Sequence, residues 1–125
     1  MAFGALSDRV LGAAREVHRR LGPGLLESAY AQCLAHELSR AGLAFERQHP
    51  LPLAYKDLRV DCGYRVDLLV EEALIVELES TAETETEPAL EARLLTYLRL
   101  AGVGEGLLIN FNVPVLKFGV RRVTA

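Results

Sequence analysis

The fold is decided by residues 64–79, which read YRVDLLVEEALIVELE. Residues 64–70 and 74–79 have the composition of strands, and residues 71–73 form a short break between them. Two strand-forming runs joined by a few residues are typical of a hairpin. We therefore predict an antiparallel hairpin over residues 64–79.

The hairpin carries three acidic side chains. If its loop is three residues long, Val70 faces Leu74, and Asp67 then lies directly opposite Glu77. Glu79 projects from the same face as Glu77, because side chains alternate across a strand. Like charges in opposed positions destabilise a hairpin unless solvent, a basic partner or a metal ion offsets the repulsion. A hard divalent cation with oxygen ligands, Mg²⁺ or Mn²⁺, is the natural candidate.

A two-residue loop gives a different arrangement. Asp67 then turns to the face opposite Glu77, and the acids are merely the polar face of a half-solvated hairpin. Four apolar residues need a common core face, which favours the arrangement that leaves the acids together: Val70, Leu74, Val76 and Leu78. Spacing alone leaves both arrangements open.

Two helices are predicted before the hairpin. The first runs from Ser7, an N-cap candidate, to about Leu21, and residues 22–24, Gly-Pro-Gly, break it. The second begins just afterwards and stops at Gly42. From about residue 44 the apolar period changes to two, and prolines at positions 50 and 52 indicate an irregular or edge strand.

The chain after the hairpin predicts one more helix and one buried strand. Residues 80–87 are a polar connector that ends at Pro88, a good first-turn residue for a helix that stops near Gly102. Residues 106–110 are apolar until the final asparagine, as expected for a strand covered on both faces. Residues 117–123 form a last short strand or tail.

Length and composition predict a single domain over residues 1–125, because 125 residues fill one core and not two. The net charge of −3 excludes the strong positive field of a non-specific nucleic-acid coat. No stretch approaches the roughly 20 apolar residues of a membrane span, and the first residues lack a leader pattern, so we expect a cytoplasmic protein without a membrane partner. Cys33 and Cys62 have no partner spacing for zinc.

Three segments resemble one known family. Gly24, Glu27 and Tyr30 have the spacing that names the GxxExxY family, within the segment VHRRLGPGLLESAY of residues 17–30. The strings YRVDLLV, residues 64–70, and GLLINFNVP, residues 106–114, are similar to its other hallmarks. The resemblance covers nearly the whole chain, in the right order.

This resemblance implies a fold and a site. The family resembles the PD-(D/E)XK nuclease superfamily, so we expect an α/β, PD-(D/E)XK nuclease-like fold, with a mixed β-sheet flanked by helices and an extra N-terminal helix. Glu27 is then the helix-borne acid, and Asp67 and Glu77 are the acids of the two motif strands. Such sites hold one or two metal ions that activate water against a phosphodiester.

Two departures from the family pattern concern catalysis. Glu79 stands where the family usually has the lysine of Glu-x-Lys, and Arg93 stands where the last helix usually has glutamine. In one interpretation Arg93 restores the missing positive charge beside a phosphate, although arginine cannot act as a proton-transfer base. In the other, the nuclease site has decayed to a metal-binding or structural one, with Glu79 as a further ligand. We predict a divalent-metal-binding protein with weak or lost nuclease activity.

Other charged and aromatic residues have two interpretations each. His18 is either a further metal ligand or a packing residue, and Tyr30 either bonds an acid or fills the core. Residues 71–91 carry eight glutamates and no basic residue, which disfavours nucleic acid as a partner. Five basic residues lie elsewhere and have two interpretations: they bind nucleic acid, or they dock on the acidic run of another subunit, an arrangement suited to a homo-oligomer. They are Arg19, Arg20, Lys117, Arg121 and Arg122.

Overall fold

The computed structural model describes residues 4–82 and 87–125. The middle of the predicted polar connector, residues 83–86, lies outside that part of the chain. The elements, in chain order, are α1 (Ala5–Leu21), α2 (Glu27–Arg40), β1 (Phe45–Pro50), β2 (Leu53–Tyr55), β3 (Leu58–Val60), β4 (Arg65–Val70), β5 (Leu74–Glu79), α3 (Glu87–Ala101), β6 (Glu105–Asn110), a 3₁₀-helix (Leu116–Gly119) and β7 (Val120–Thr124).

One mixed five-stranded sheet forms the centre of the molecule. Its strand order is β1-β4-β5-β6-β7, and β5 and β6 are parallel while all other neighbours are antiparallel. The parallel pair needs a crossover, which α3 supplies. The predicted α/β fold of the PD-(D/E)XK nuclease-like type, with helices flanking a mixed sheet and an additional N-terminal helix, is confirmed.

Helices cover both faces of the sheet. One core packs α1 and α2 against inward residues of the hairpin and β6, such as Leu68, Val76 and Ile109. The other packs α3 against residues such as Ile75 and Leu108. Strand β6 is buried over almost its whole length, which explains its apolar sequence.

The hairpin loop has the predicted length. Val70 pairs with Leu74, and the ladder continues to Leu68 opposite Val76. Glu71 and Glu72 both have positive φ angles, 53° and 52°, although glutamate rarely adopts them. The three-residue loop therefore places Asp67 and Glu77 in opposed positions, and the alternative register is wrong.

Two details differ from the sequence prediction. Gly4 and not Ser7 precedes α1, and Ser7 is buried inside the helix, where its hydroxyl has no hydrogen-bond partner among the described residues. The small β2–β3 hairpin was not predicted, because its strands are only three residues long. No helix within residues 4–82 and 87–125 is long and apolar enough to cross a bilayer.

Candidate metal site

Asp67 lies where the hairpin ladder ends. Its Oδ2 accepts a hydrogen bond from the backbone N–H of Leu78 at 2.7 Å, so a carboxylate oxygen takes the role that a strand carbonyl would have. The same carboxylate faces Glu77, close enough for the two side chains to share a proton. The opposed pair predicted from the register is therefore a direct contact between two acids.

Glu77 is the most buried acid of the chain's described part, with 5% of its surface exposed. Burial raises the pKa of Glu77 to about 9, and the charge of Asp67 adds to the shift. Its Oε1 is buried and has no hydrogen-bond partner among the described residues. At neutral pH this side chain is protonated, and it carries a lone oxygen that a cation would satisfy.

Glu27 comes to the same place from α2. The pKa of its carboxyl group is raised to about 7, first by partial burial and then by the charges of Glu79 and Asp67, while Arg93 opposes the shift. Glu27 is therefore electrostatically coupled to Asp67 of β4 and Glu79 of β5.

Tyr30 explains the geometry of the Gly-x-x-Glu-x-x-Tyr segment. Its hydroxyl donates to the carbonyl of Gly22 at 2.5 Å and accepts from the N–H of Leu25 at 3.1 Å, while its ring stacks on Phe111 at 4.4 Å. Gly24 has φ 96°, which a side chain would strain. Tyr30 is thus a buried loop anchor that sets where α2, and with it Glu27, begins.

Arg93 faces the strand acids from α3. Its Nη2 donates to Oε1 of Glu79 at 3.3 Å, and its guanidinium carbon lies 5.8 Å from the centre of the Tyr97 ring. Burial raises the pKa of Glu79 and Arg93 opposes that shift. Glu79 and Arg93, the two residues that depart from the expected pattern, therefore form an ion pair between β5 and α3.

Gln48 is a site neighbour that sequence reasoning missed. It has φ 52° inside β1, and β1 pairs with β4 on both sides of it but not at Gln48 itself. Its Nε2 donates to Oδ1 of Asp67 at 3.4 Å. One sequence signal was present here, the irregular strand predicted between α2 and the hairpin. The backbone twist that turns the Gln48 amide toward Asp67 cannot be read from composition.

Asn110 is a second missed residue. Its side chain is buried, donates to the carbonyl of Thr81 at 2.8 Å, and accepts from the N–H groups of Thr81 and Asn112. These bonds fix the path of the chain as it leaves β5 directly after Glu79. Ser80 adds a hydrogen bond to the Leu25 carbonyl at 2.6 Å, which joins the end of β5 to the loop before α2.

His18 is buried, and its environment is that of a packing residue. Its Nε2 lies 2.7 Å from the carbonyl of Val113, and its ring packs at 6.4 Å from that of Phe111. A carbonyl only accepts, so Nε2 carries the proton and has no lone pair for a metal. Only Nδ1 remains for the predicted ligand role.

Within residues 4–82 and 87–125, no three Asp, Glu, His or Cys side chains are arranged to hold a metal. The donor set nevertheless fits a hard divalent cation, because it consists of carboxylates and includes the unpartnered buried Oε1 of Glu77.

A family model described as the PD-(D/E)XK nuclease superfamily matches residues 4–123. The chain therefore belongs to this superfamily, whose nucleases generally use divalent metal ions. No curated protein and no solved structure matches the chain. Membership of the narrower GxxExxY family stays a prediction.

Proposed function

We propose that the domain binds a divalent cation, Mg²⁺ or Mn²⁺, with carboxylate oxygens of Glu27, Asp67 and Glu77, and that it has weak or no nuclease activity. The observation that carries the metal site is the buried Glu77 carboxyl beside Asp67, whose Oε1 has no hydrogen-bond partner in the part of the chain that the structure describes. Such an arrangement is costly for an apo protein. A cation that replaces the proton between Glu77 and Asp67 would remove this destabilisation.

The residues around the ligands support a fixed site. Asp67 is held by the Leu78 amide and by Gln48, so its carboxylate is oriented before an ion arrives. Glu27 is placed by the loop that Tyr30 anchors. When bound, the ion would polarise a phosphodiester and activate a water molecule. Glu79 is a further carboxylate, and Arg93 engages its Oε1 at 3.3 Å.

The Glu79–Arg93 ion pair is the reason for proposing weak activity. A lysine at position 79 would present its charge to a phosphate, whereas Glu79 adds a negative charge and engages Arg93 at 3.3 Å. An arginine paired in this way offers less charge to a transition state. The glutamates of the adjacent connector add repulsion for a nucleic-acid backbone.

The alternative is an active Mg²⁺- or Mn²⁺-dependent nuclease in which Arg93 acts in place of the lysine. One observation favours it. The Arg93 side chain is 46% exposed beside the acids, and a guanidinium has five N–H donors, of which Glu79 engages one. A phosphate could therefore be bound while the ion pair persists.

Metal binding and cleavage separate these two functions. Calorimetry with Mn²⁺ should show uptake by the wild-type protein that Asp67→Asn abolishes, and a panel of single- and double-stranded DNA and RNA should show little cleavage. Glu79→Lys should weaken the metal binding and, by supplying the lysine, raise cleavage. Strong wild-type cleavage that is lost in Arg93→Ala would establish the alternative. Absence of Mn²⁺ uptake would reject both.

Homo-oligomer formation and a role for His18 as a ligand stay predictions. Four of the five basic residues expected to dock on a second subunit form ion pairs within the chain. Arg19 and Arg20 pair with Glu16, each at 2.9 Å, Arg121 pairs with Glu91 at 3.5 Å, and Arg122 pairs with Glu105 at 3.1 Å. Part of that basic surface is thus engaged already. Light scattering of the purified protein measures the oligomeric state directly.

A further inference from the structure

A small cavity lies where the end of β1 meets the start of β4, at the paired residues Pro50 and Arg65. It has a volume of about 200 Å³ and is lined by the segments Pro50–Pro52 and Gly63–Arg65 together with Arg59 and Asp61. Pockets for drug-sized ligands are larger, so this cavity fits one flat group and not a whole small molecule. Its lining includes one aromatic ring, Tyr64, and two guanidinium groups, Arg59 and Arg65.

Aromatic contacts connect the cavity with the acids on one side. The rings of Tyr64 and Tyr97 lie 6.3 Å apart at an angle of 52°, and the Arg93 guanidinium lies over Tyr97. Arg93 in turn contacts Glu79. These side chains form a continuous line from the cavity to the acid cluster.

Hydrogen bonds make a second connection. Arg65 donates from Nη1 to the carbonyl of Gln48 at 3.2 Å, and the side chain of the same glutamine donates to Asp67. Two independent chains of contacts therefore connect the cavity with the acids. We define the aromatic-basic track as Arg93, Tyr97, Tyr64, Arg65 and Arg59.

We infer that the aromatic-basic track binds a single strand of nucleic acid, with an unpaired base stacked on Tyr64 and with Arg59 and Arg65 at neighbouring phosphates. This inference extends the proposed function by naming the partner of the same site. Tyr64 is 46% exposed although it is large and aromatic, and it lines the cavity together with Arg59, Arg65 and Asp61. Aromatic rings with adjacent guanidinium groups are the usual platform for unpaired bases.

The chemistry favours a single strand over a duplex or an acidic peptide. A duplex hides the faces of its bases and would contact only the arginines, whereas an acidic peptide has no flat group for Tyr64. The basic residues of the track also offset the acids beside them, which the net charge of −3 does not reveal. Because that net charge opposes a polyanion, binding should be weak and should fall steeply with salt.

Fluorescence anisotropy tests the inference on the full chain. The probes are labelled single-stranded DNA and RNA of about 12 nucleotides, the matched duplex and poly-glutamate, at about 50 mM salt. EDTA is present, so the result does not depend on metal binding or cleavage. We expect both single strands to bind more tightly than the duplex and poly-glutamate not to bind. Preference between DNA and RNA reports contacts to the 2′-hydroxyl.

Substitutions locate the binding surface. Tyr64→Ala should weaken single-strand binding about tenfold, and Tyr64→Phe should retain it, because stacking needs the ring and not the hydroxyl. Arg59→Gln should lower the slope of log affinity against log salt by about 1. Tyr55 is the matched control, since this exposed tyrosine lies under Lys56 on the β2–β3 hairpin and outside the track.

Four results would overturn the inference. They are absence of single-strand binding at low salt, equal binding of the duplex or poly-glutamate, an unchanged affinity in Tyr64→Ala, and an equal loss in Tyr55→Ala. A protein that binds Mn²⁺ but fails these tests retains the proposed metal site and loses the nucleic-acid partner. A protein that binds single strands as expected but takes up no Mn²⁺ rejects the proposed metal site and keeps the aromatic-basic track.

Discussion

Replacing Glu77 by glutamine should stabilise the metal-free protein, and the gain should depend on pH. Glutamine is close to glutamic acid in size and has an N–H₂ group that can donate to Asp67, as the protonated acid does. It differs in having no proton to lose. The variant therefore isolates the cost of keeping a buried acid protonated next to another carboxylate.

The magnitude follows from the raised pKa. The Glu77 carboxyl has a pKa of about 9 in the fold and an ordinary value of 4.5. The unfolded chain loses this proton as pH rises through 4.5, whereas the folded chain keeps it to about pH 9, so wild-type stability falls across that range. At about 1.4 kcal/mol per pH unit, the cost is about 4 kcal/mol at pH 7.5 and about 1 kcal/mol at pH 5.

Urea unfolding in EDTA, followed by circular dichroism at both pH values, measures this difference. Glu77→Gln should exceed the wild type in free energy of unfolding at about pH 7.5, and most of the gain should disappear near pH 5. Glu37→Gln is a matched control on α2, and we expect no such gain there. A gain for Glu77→Gln that is the same at both pH values, or a loss at the higher pH, would refute the reasoning.

Three further substitutions test the surroundings of the site. Gln48→Gly should raise the free energy of unfolding by about 1 kcal/mol, because the strain of φ 52° disappears, while Mn²⁺ affinity falls with the loss of the bond to Asp67. Tyr30→Phe should lower the free energy of unfolding by about 1 kcal/mol in urea titrations, since the Gly22 carbonyl loses its donor. Glu72→Gly, also at φ 52°, should raise it by about 1 kcal/mol and leave Mn²⁺ affinity unchanged.

Each of these expectations has a contradicting result. If Gln48→Gly changes stability and Mn²⁺ affinity in the same direction, the glutamine has only a structural role. If Tyr30→Phe is as stable as the wild type, the hydroxyl does not anchor the loop. Glu72→Gly serves as the control for Gln48→Gly, because both remove a positive-φ side chain and only one lies at the site.

The sequence was most informative where residue spacing and burial coincide. Spacing left two hairpin registers open, and the apolar residues of β4 and β5, which need one common core face, favoured the register that the structure has. The order of helices and strands followed from changes in apolar period and from glycine and proline breaks. These features are local, so they are readable without the fold.

Features that depend on three-dimensional twist were not readable. The turn of Gln48 toward Asp67 requires a left-handed residue inside a strand, and neither its type nor its neighbours indicate one. Ser7 has the composition of a cap, yet the helix begins two residues earlier at Ala5. The contact between Tyr64 and Tyr97 joins residues that are distant in the chain, so no periodicity of the sequence predicts it.

Calorimetric titration of the wild-type protein with Mn²⁺ near pH 7.5 tests the metal site most directly. Two buffers of different ionisation heat also report the protons that are released. We expect saturable binding with about one proton released per ion, because Glu77 must lose its proton to become a ligand. We also expect the binding to disappear in Asp67→Asn. Absence of uptake, or equal uptake by Asp67→Asn, would contradict the assignment of these acids as the metal site.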